Sequence, residues 1–353
     1  MSKVSVIVPV FNVIAYLPAA LDSLCRQTHE DGEFLLVDDG STDGSREFLH
    51  EYAKKDRRFR VLEMGKNCGY GAACNRGLDA ATGEHVHVFE PDDVLHERFY
   101  EFMTAALDGD EDSGFVRCNH IVMDARGKEL KRSRSLAQTG RSSYDVRNDI
   151  RFAHARVCIW SLLVRRSMLL ENNVRFHESP GASFQDISYY FQVLRGAKRF
   201  ILLEEWLYFY RQHSEQSIRS RTKGLTIFGE HEFAMSHCVA HLPDSEQPWS
   251  KGMLDAMMIE KFVRHAGRCQ NERMEEFYEV LMAKIRSMKP DQTENFLKGQ
   301  GLSRSLFKTL RKEMDLGYNA FCAKRRKNHL MLWGRLFRSE NLLYRCLVGQ
   351  EGE

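Results

Sequence analysis

The chain has 353 residues, 28% of them charged and 43% hydrophobic, which is the composition of a folded protein with a substantial core. Its 51 basic and 49 acidic residues leave a net charge of +2, which excludes a general nucleic-acid coat, so no nucleic-acid partner is expected. Nine cysteines, an odd number without CxxC spacing, argue against a disulfide framework or a structural zinc site and fit a reducing cytosol.

The first ninety residues alternate strand and helix signals. Val4 to Val10 is an apolar run of strand length, and Tyr16 to Arg26 has helical periodicity through Leu17, Leu21 and Leu24. Glu33 to Val37 reads as a second strand, Ser45 to Lys54 as a helix and Arg60 to Glu63 as a third strand. Gly69 to Ala81 reads as a helix rich in small residues and His85 to Phe89 as a fourth strand. This alternation predicts an α/β fold with a mostly parallel sheet flanked by helices. In such sheets ligands bind beyond the carboxyl ends of the strands, which is where Pro9 to Asn12, Asp38 to Ser41 and Glu90 to Asp93 fall. From 95 to 215 the pattern is mixed: a helix over His96 to Leu107, a strand over Gly114 to Met123, and a polar, mobile stretch from Arg126 to Tyr144. Ile159 to Val164 reads as a strand, Gln185 to Leu194 as a helix, and Phe200 to Leu203 and Trp206 to Arg211 as two short strands. Past a boundary near 220, long helical patterns dominate (Met253 to His265, Met274 to Met288).

Four segments carry candidate chemistry. Asp38-Asp39-Gly40-Ser41 can accept hydrogen bonds from a base edge or ribose, and it also reads as a turn with a helix cap. Glu90, Asp92 and Asp93 would repel one another without a cation; hard oxygen donors suit Mg²⁺ or Mn²⁺, while the alternative is a solvated acidic turn. Ser183 and Asp186 have the spacing of a capping box, and Asp186 is also a candidate general base. Arg211 and His213 can bind a diphosphate or complete a metal shell, although a lone His in a polar loop is more often only hydrogen-bonded. Cys68 and Cys74 read as small buried hydrophobes.

In this order, VSVIVPVFN, LLVDDGSTDGS, NCGYGAACNRGLDAATGE, VFEPDD, GASFQDISYYF and YFYRQHSEQSIRS resemble the family 2 glycosyltransferases over residues 3 to 220. The likeness is greatest to bacterial enzymes that build capsule, exopolysaccharide or related surface glycans. The resemblance implies a GT-A domain over 1–220, with a nucleotide-binding half (1–95) and an acceptor half (96–220), ahead of a helical region over 221–353. It implies that Pro9, Phe11, Asn12, Asp38, Asp39, Ser41, Asn67, Gly69, Asn75, Asp92 and Arg211 surround a UDP-sugar, and that Asp93 and His213 contact the ion. Asp186 would deprotonate the acceptor hydroxyl of a glycan or lipid-linked acceptor, in an inverting single displacement.

Glu90 stands where the family often has Asp, Gln185 where Glu is frequent, and Cys74 where many members have Arg. A nucleotidyltransferase is the first alternative, but VIVPVFN lacks the glycine-rich, basic phosphate loop such enzymes open with; a non-catalytic assembly subunit of the same fold is the second. No stretch approaches the ~18 apolar residues of a membrane span, and the first residues lack a secretory cleavage pattern, so the expected location is the cytoplasm. Lys324 to Lys327, Arg335, Arg338 and Arg345, interleaved with Leu and aromatic residues, read either as a basic amphipathic helix on the inner membrane face or as a packed helix with a basic surface.

Overall fold

A computed structural model describes residues 2–134, 143–147, 157–214, 216, 225–265 and 271–287. The chain divides into two units: Met1–Asp149 with Arg156–Arg219, and Ile150–Ala155 with Ser220–Glu353. The basic cluster between 324 and 345 lies outside the described residues.

The first unit begins with strands Val4–Val10 (β1), Gly32–Asp38 (β2), Phe59–Glu63 (β3) and His85–Val88 (β4), connected by helices Leu17–Cys25 (α1), Ser45–Ala53 (α2) and Tyr70–Ala80 (α3). β1 pairs in parallel with β2 on one side and β4 on the other, and all seven of its residues are buried. That is why its sequence is a continuous apolar run and not an alternating one. In α1, Leu17, Ala20, Leu21 and Leu24 recur at helical spacing and all face the core, and Pro18 sits in the first turn, where its missing N–H costs nothing. α3 lies close on β1 because of Gly77: a Cβ there would fall 2.3 Å from Ile7 Cγ2. The small-residue composition of this helix is therefore a packing requirement.

The unit continues through Val94–Leu95 (β5), Phe99–Asp108 (α4), Ser113–Asp124 (β6), Glu129–Ser133 (β7), Ser143–Asp145 (β8), Leu162–Arg165 (β9), Arg166–Glu171 (α5), Gln185–Gly196 (α6) and Arg199–Gln212 (β10). The described strands form one sheet in the order β3-β2-β1-β4-β9-β6-β10-β5, with β7 on β6 and β8 on β10. It is a mixed sheet: β9 runs antiparallel to both β4 and β6, whereas β10 runs parallel to β6. The expected α/β class holds. Three local expectations change. Part of the supposedly mobile stretch from 126 to 144 is β7 and β8, ordered by pairing with β6 and β10. The two short strands after 200 are one strand, β10, whose register shifts between Leu202 and Tyr208 interrupt the apolar alternation. β5 is too short to leave a periodic signal; its two residues pair with Tyr208 and Phe209.

In the second unit, Thr226–His237 (α7), Gln247–His265 (α8) and Met274–Ser287 (α9) contribute the contacting rings of Phe228, Phe262 and Phe277. Asp255 is buried between His231 Nε2 (2.9 Å) and Lys251 Nζ (2.6 Å). Among the described residues, no helix is long and apolar enough to cross a membrane.

Candidate active site

The loops that follow β1 and β2 are joined side chain to backbone. Asp38 is fully buried; its carboxylate accepts from the Ser41 N–H (3.0 Å) and from Arg46 Nε (2.8 Å). Ser41 Oγ in turn accepts from the Asn12 N–H, and Asn12 Oδ1 from the Thr42 N–H at 2.8 Å. Asn12 takes a left-handed conformation (φ 49°), a region that Asn tolerates better than most residues. This turn leaves Phe11 45% exposed at the rim, its ring open to a planar partner, while Pro9 is buried in β1. Asp39 reaches the loop before α3, accepting from the Cys68 N–H (2.7 Å) and the Gly69 N–H (2.9 Å). Gly69 has φ +96°, a geometry that presents both N–H groups to one carboxylate and strains any side chain. Burial holds the Asp39 carboxyl above its usual range, with Asp38 adding, although the two N–H bonds pull it down. Asn67 is exposed in the same loop.

The acidic segment after β4 meets the end of β10. Asp93 is 1% exposed, with Oδ2 accepting from Tyr208 OH (2.8 Å) and Oδ1 from the Arg211 N–H (2.6 Å). Burial, with Asp92 adding, pushes its carboxyl well up. Arg211 Nε donates to the Asp92 carbonyl and Nη1 to the Ala125 carbonyl, and its guanidinium lies 5.4 Å from the Tyr16 ring centroid. His213 Nε2 stands 2.8 Å from Asp92 Oδ2, its ring 4.3 Å from that of Tyr16. His213 therefore pairs with Asp92 and not with Asp93, which stands behind them as the tie between β4 and β10.

This corner fits a divalent cation. Asp92, 22% exposed, and His213 offer a hard oxygen and an imidazole nitrogen within one hydrogen-bond length. Buried His213 Nδ1 has no hydrogen-bond partner among the described residues. No group of three or more His, Cys, Asp or Glu converges to cage an ion there, again among the described residues. A site with few protein donors suits Mg²⁺ or Mn²⁺, whose shells are usually completed by substrate phosphates and water.

Glu90 points to a third group. Tyr70 OH donates to Glu90 Oε1 at 2.6 Å. Burial, with Asp92 and then Asp186 adding, pushes the Glu90 carboxyl up to about 8. Asp186 lies in the first turn of α6, and its charge is felt by both Glu90 and Tyr70. The expected capping box is absent. Phe184, not Ser183, is the residue before the helix; it has φ 67°, and Ser183 Oγ donates to the Ala182 carbonyl. The approach to Asp186 is held instead by buried Gln185, whose amide donates to Ser179 Oγ (2.8 Å) and the Gly181 carbonyl (3.2 Å). The Gly181 carbonyl also accepts from the Tyr70 N–H, tying this segment to the start of α3.

Asn75 lies apart from these groups: its amide donates to the Phe176 carbonyl (3.0 Å) and Glu178 Oε1 (2.9 Å) and accepts from the Phe176 N–H. Sequence reasoning missed Tyr16, Arg46, Tyr70 and Tyr208. Tyr70 alone left a trace, as the one aromatic side chain in a helix rich in small residues.

Residues 5–173 match the family profile described as glycosyl transferase family 2. The chain is 29% identical over 219 residues to the uncharacterized glycosyltransferase EpsJ of Bacillus subtilis (60% of this chain, 61% of that protein). It is 31% identical over 235 residues to the uncharacterized glycosyltransferase YibD of Escherichia coli (63% of this chain, 65% of that protein). The matched stretch thus spans less than two thirds of these relatives. Among solved structures, S. aureus TarS 1–349 in complex with UDP-GlcNAc superposes with a TM-score of 0.55 at 19% identity, over 85% of this chain and 92% of that one. The stretch 5–173, which carries the first acidic segments, thus matches glycosyl transferase family 2, and the sheet has the GT-A fold.

Proposed function

We propose that the chain is an inverting glycosyltransferase that moves a sugar from a UDP-sugar to a hydroxyl of a surface glycan or lipid-linked acceptor. The observation that carries this reading is Tyr70, whose N–H bonds the Gly181 carbonyl ahead of Asp186 and whose OH bonds Glu90 in the acidic segment, next to the Asp92–His213 pair. A base and a diphosphate corner are what a single displacement requires on opposite sides of an anomeric carbon. The UDP-GlcNAc bound by TarS supports a UDP-sugar as the donor class.

In this reading Phe11, Asn12 and the Asp38–Ser41 loop hold the nucleotide, and Arg211 and His213 close on the diphosphate. Asp92 and His213 would hold a Mg²⁺ or Mn²⁺ ion, which would supply positive charge to offset that on the departing UDP. Asp186 takes the proton from the acceptor hydroxyl as its oxygen bonds to the anomeric carbon and the bond to UDP breaks. Asp93 keeps Arg211 in place from behind. The catalytic unit is residues 1–220, followed by the helical region; a cytoplasmic enzyme docked on the inner membrane face through its basic C-terminal segment would meet a lipid-linked acceptor there. Charge reversal of Lys324–Lys327 should then weaken vesicle binding.

A screen of UDP-sugars for UDP release, with Mn²⁺, Mg²⁺ or chelator, tests the reaction. Asp186→Asn should lower kcat by ~10²–10⁴-fold and leave UDP affinity within about twofold. Unchanged turnover would remove Asp186 as the base, and pyrophosphate in place of UDP would mark a nucleotidyltransferase.

A further inference from the structure

Beside the diphosphate corner the first unit has an open groove of about 530 Å³ that none of the nucleotide-site residues lines. Its floor includes Ile121, Trp206 and Phe209, with Phe102 from α4 at one side. The register explains its position. Phe209 pairs with Ile121 and Ile121 with Arg132, so one row of side chains crosses β10, β6 and β7. Phe209 is two residues before Arg211 on the same face of β10, which sets the groove about 7 Å along the strand from the corner.

The lining has a particular chemistry. Three aromatic rings supply flat apolar surface, and Arg98, Arg132, Glu129 and Glu205 supply planar, forked polar groups. Arg132 pairs with Glu129 at 3.0 Å and Arg98 with Glu101 at 2.6 Å, so the cations are already balanced and the groove offers no net attraction to a polyanion. The buried Trp206 indole N–H has no hydrogen-bond partner among the described residues, a donor that costs stability until an acceptor is supplied. The guanidinium groups of Arg132 in β7 and of Arg134 just after it lie 5.7 and 5.8 Å from the Trp206 ring. Flat rings beside forked hydrogen-bonding groups match a pyranose, which has an apolar C–H face and a rim of hydroxyls. The volume lies within the roughly 300–1,000 Å³ usual for small-ligand sites.

We propose that this groove is a binding site for an uncharged oligosaccharide and, resting on the transferase reading above, that it seats the acceptor glycan. Trp206 and Phe209 stack on the sugar faces, while Glu205 and Arg132 bond its hydroxyls.

Saturation-transfer NMR on the full chain with chitotriose, maltotriose and cellotriose, and with a hyaluronan tetrasaccharide as the anionic comparison, tests it. At least one neutral trisaccharide should receive saturation; Trp206→Ala should weaken it tenfold or more and Glu205→Ala about threefold, with UDP affinity unchanged in both. If Trp206→Ala does not fold by circular dichroism, Glu205→Ala and the loss of a saccharide-dependent fluorescence change in Trp206→Phe serve instead. No transfer to any neutral trisaccharide, equal affinity in the folded variants, or preference for the anionic sugar overturns the proposal. Saccharide binding without UDP release from any UDP-sugar would remove the transferase reading and leave the groove. UDP release without saccharide binding would do the reverse.

Discussion

The loops after β1 and β2 and the corner between β4 and β10 lie at the same edge of the sheet but are held in different ways. In the loops, Asp38, Asp39 and Asn12 accept from backbone N–H groups about thirty residues away or nearer, so side chains shape the backbone. At the corner, Asp93 and Asp92 reach Tyr208, Arg211 and His213, which are 115 to 121 residues further along the chain. The loops are thus built from short-range bonds that survive small movements of the rest. The corner exists only when β10 has joined the sheet beyond β6, and β10 brings Arg211 and His213 with it.

Substitutions on each side separate the two ways of holding a carboxylate. Asp93→Asn should cost about 3–4 kcal/mol in urea unfolding, because a buried carboxylate serving two donors is replaced by a group that must turn a donor toward one of them. It should also abolish UDP release. Asp39→Asn, the matching change in the loops, should cost about 1–2 kcal/mol, since one of two backbone N–H groups is left without its acceptor. An equal or larger cost for Asp39→Asn would erase the distinction.

A pH titration probes the strand between them. His87 is buried in β4, with Tyr100 OH and the Trp160 carbonyl on its two nitrogens, and burial lowers its pKa from 6.5 to about 4. The unfolded chain therefore binds the proton first: stability present above pH 6.5 should fall by roughly 3 kcal/mol as the pH drops to 4, and then level off for this group. A His87→Gln chain should lack that slope. Asn75→Ala should cost about 2 kcal/mol by freeing the segment at 176–178 from α3, with UDP affinity unchanged; a tenfold loss of UDP affinity in the folded variant would return Asn75 to the nucleotide site. The smallest effect is expected at Tyr16, whose ring touches both Arg211 and His213. Tyr16→Ala should raise the KM for the donor by about three- to tenfold and Tyr16→Phe hardly at all, as expected of a ring contact near 1 kcal/mol.

Much of residues 1–95 was legible. A buried parallel strand needs apolar residues on both faces, so Val4–Val10 and the strand before Asp38 announced themselves, and the polar residues at their ends stood out against them. Residues 96–220 were harder. β5 has two residues, β7 is exposed and charged, and β10 carries register shifts, so none shows clean periodicity. The role of Tyr208 had no signal at all, because it depends on a partner in another strand.

By itself, then, the sequence determined the α/β alternation, the edge of the sheet where the chemistry lies, and the carboxylates that stand there, because strand burial and turn chemistry are local properties. Only the tertiary structure decided which carboxylate meets which partner. It set Asp93 behind the corner and Asp92 against His213, assigned Gln185 and Phe184 to hold the approach to Asp186, and opened the aromatic groove beside Arg211. The corner and the groove follow from how β10 lies on β6 and β5, pairings across 85 to 88 and 113 to 115 residues that no local pattern encodes.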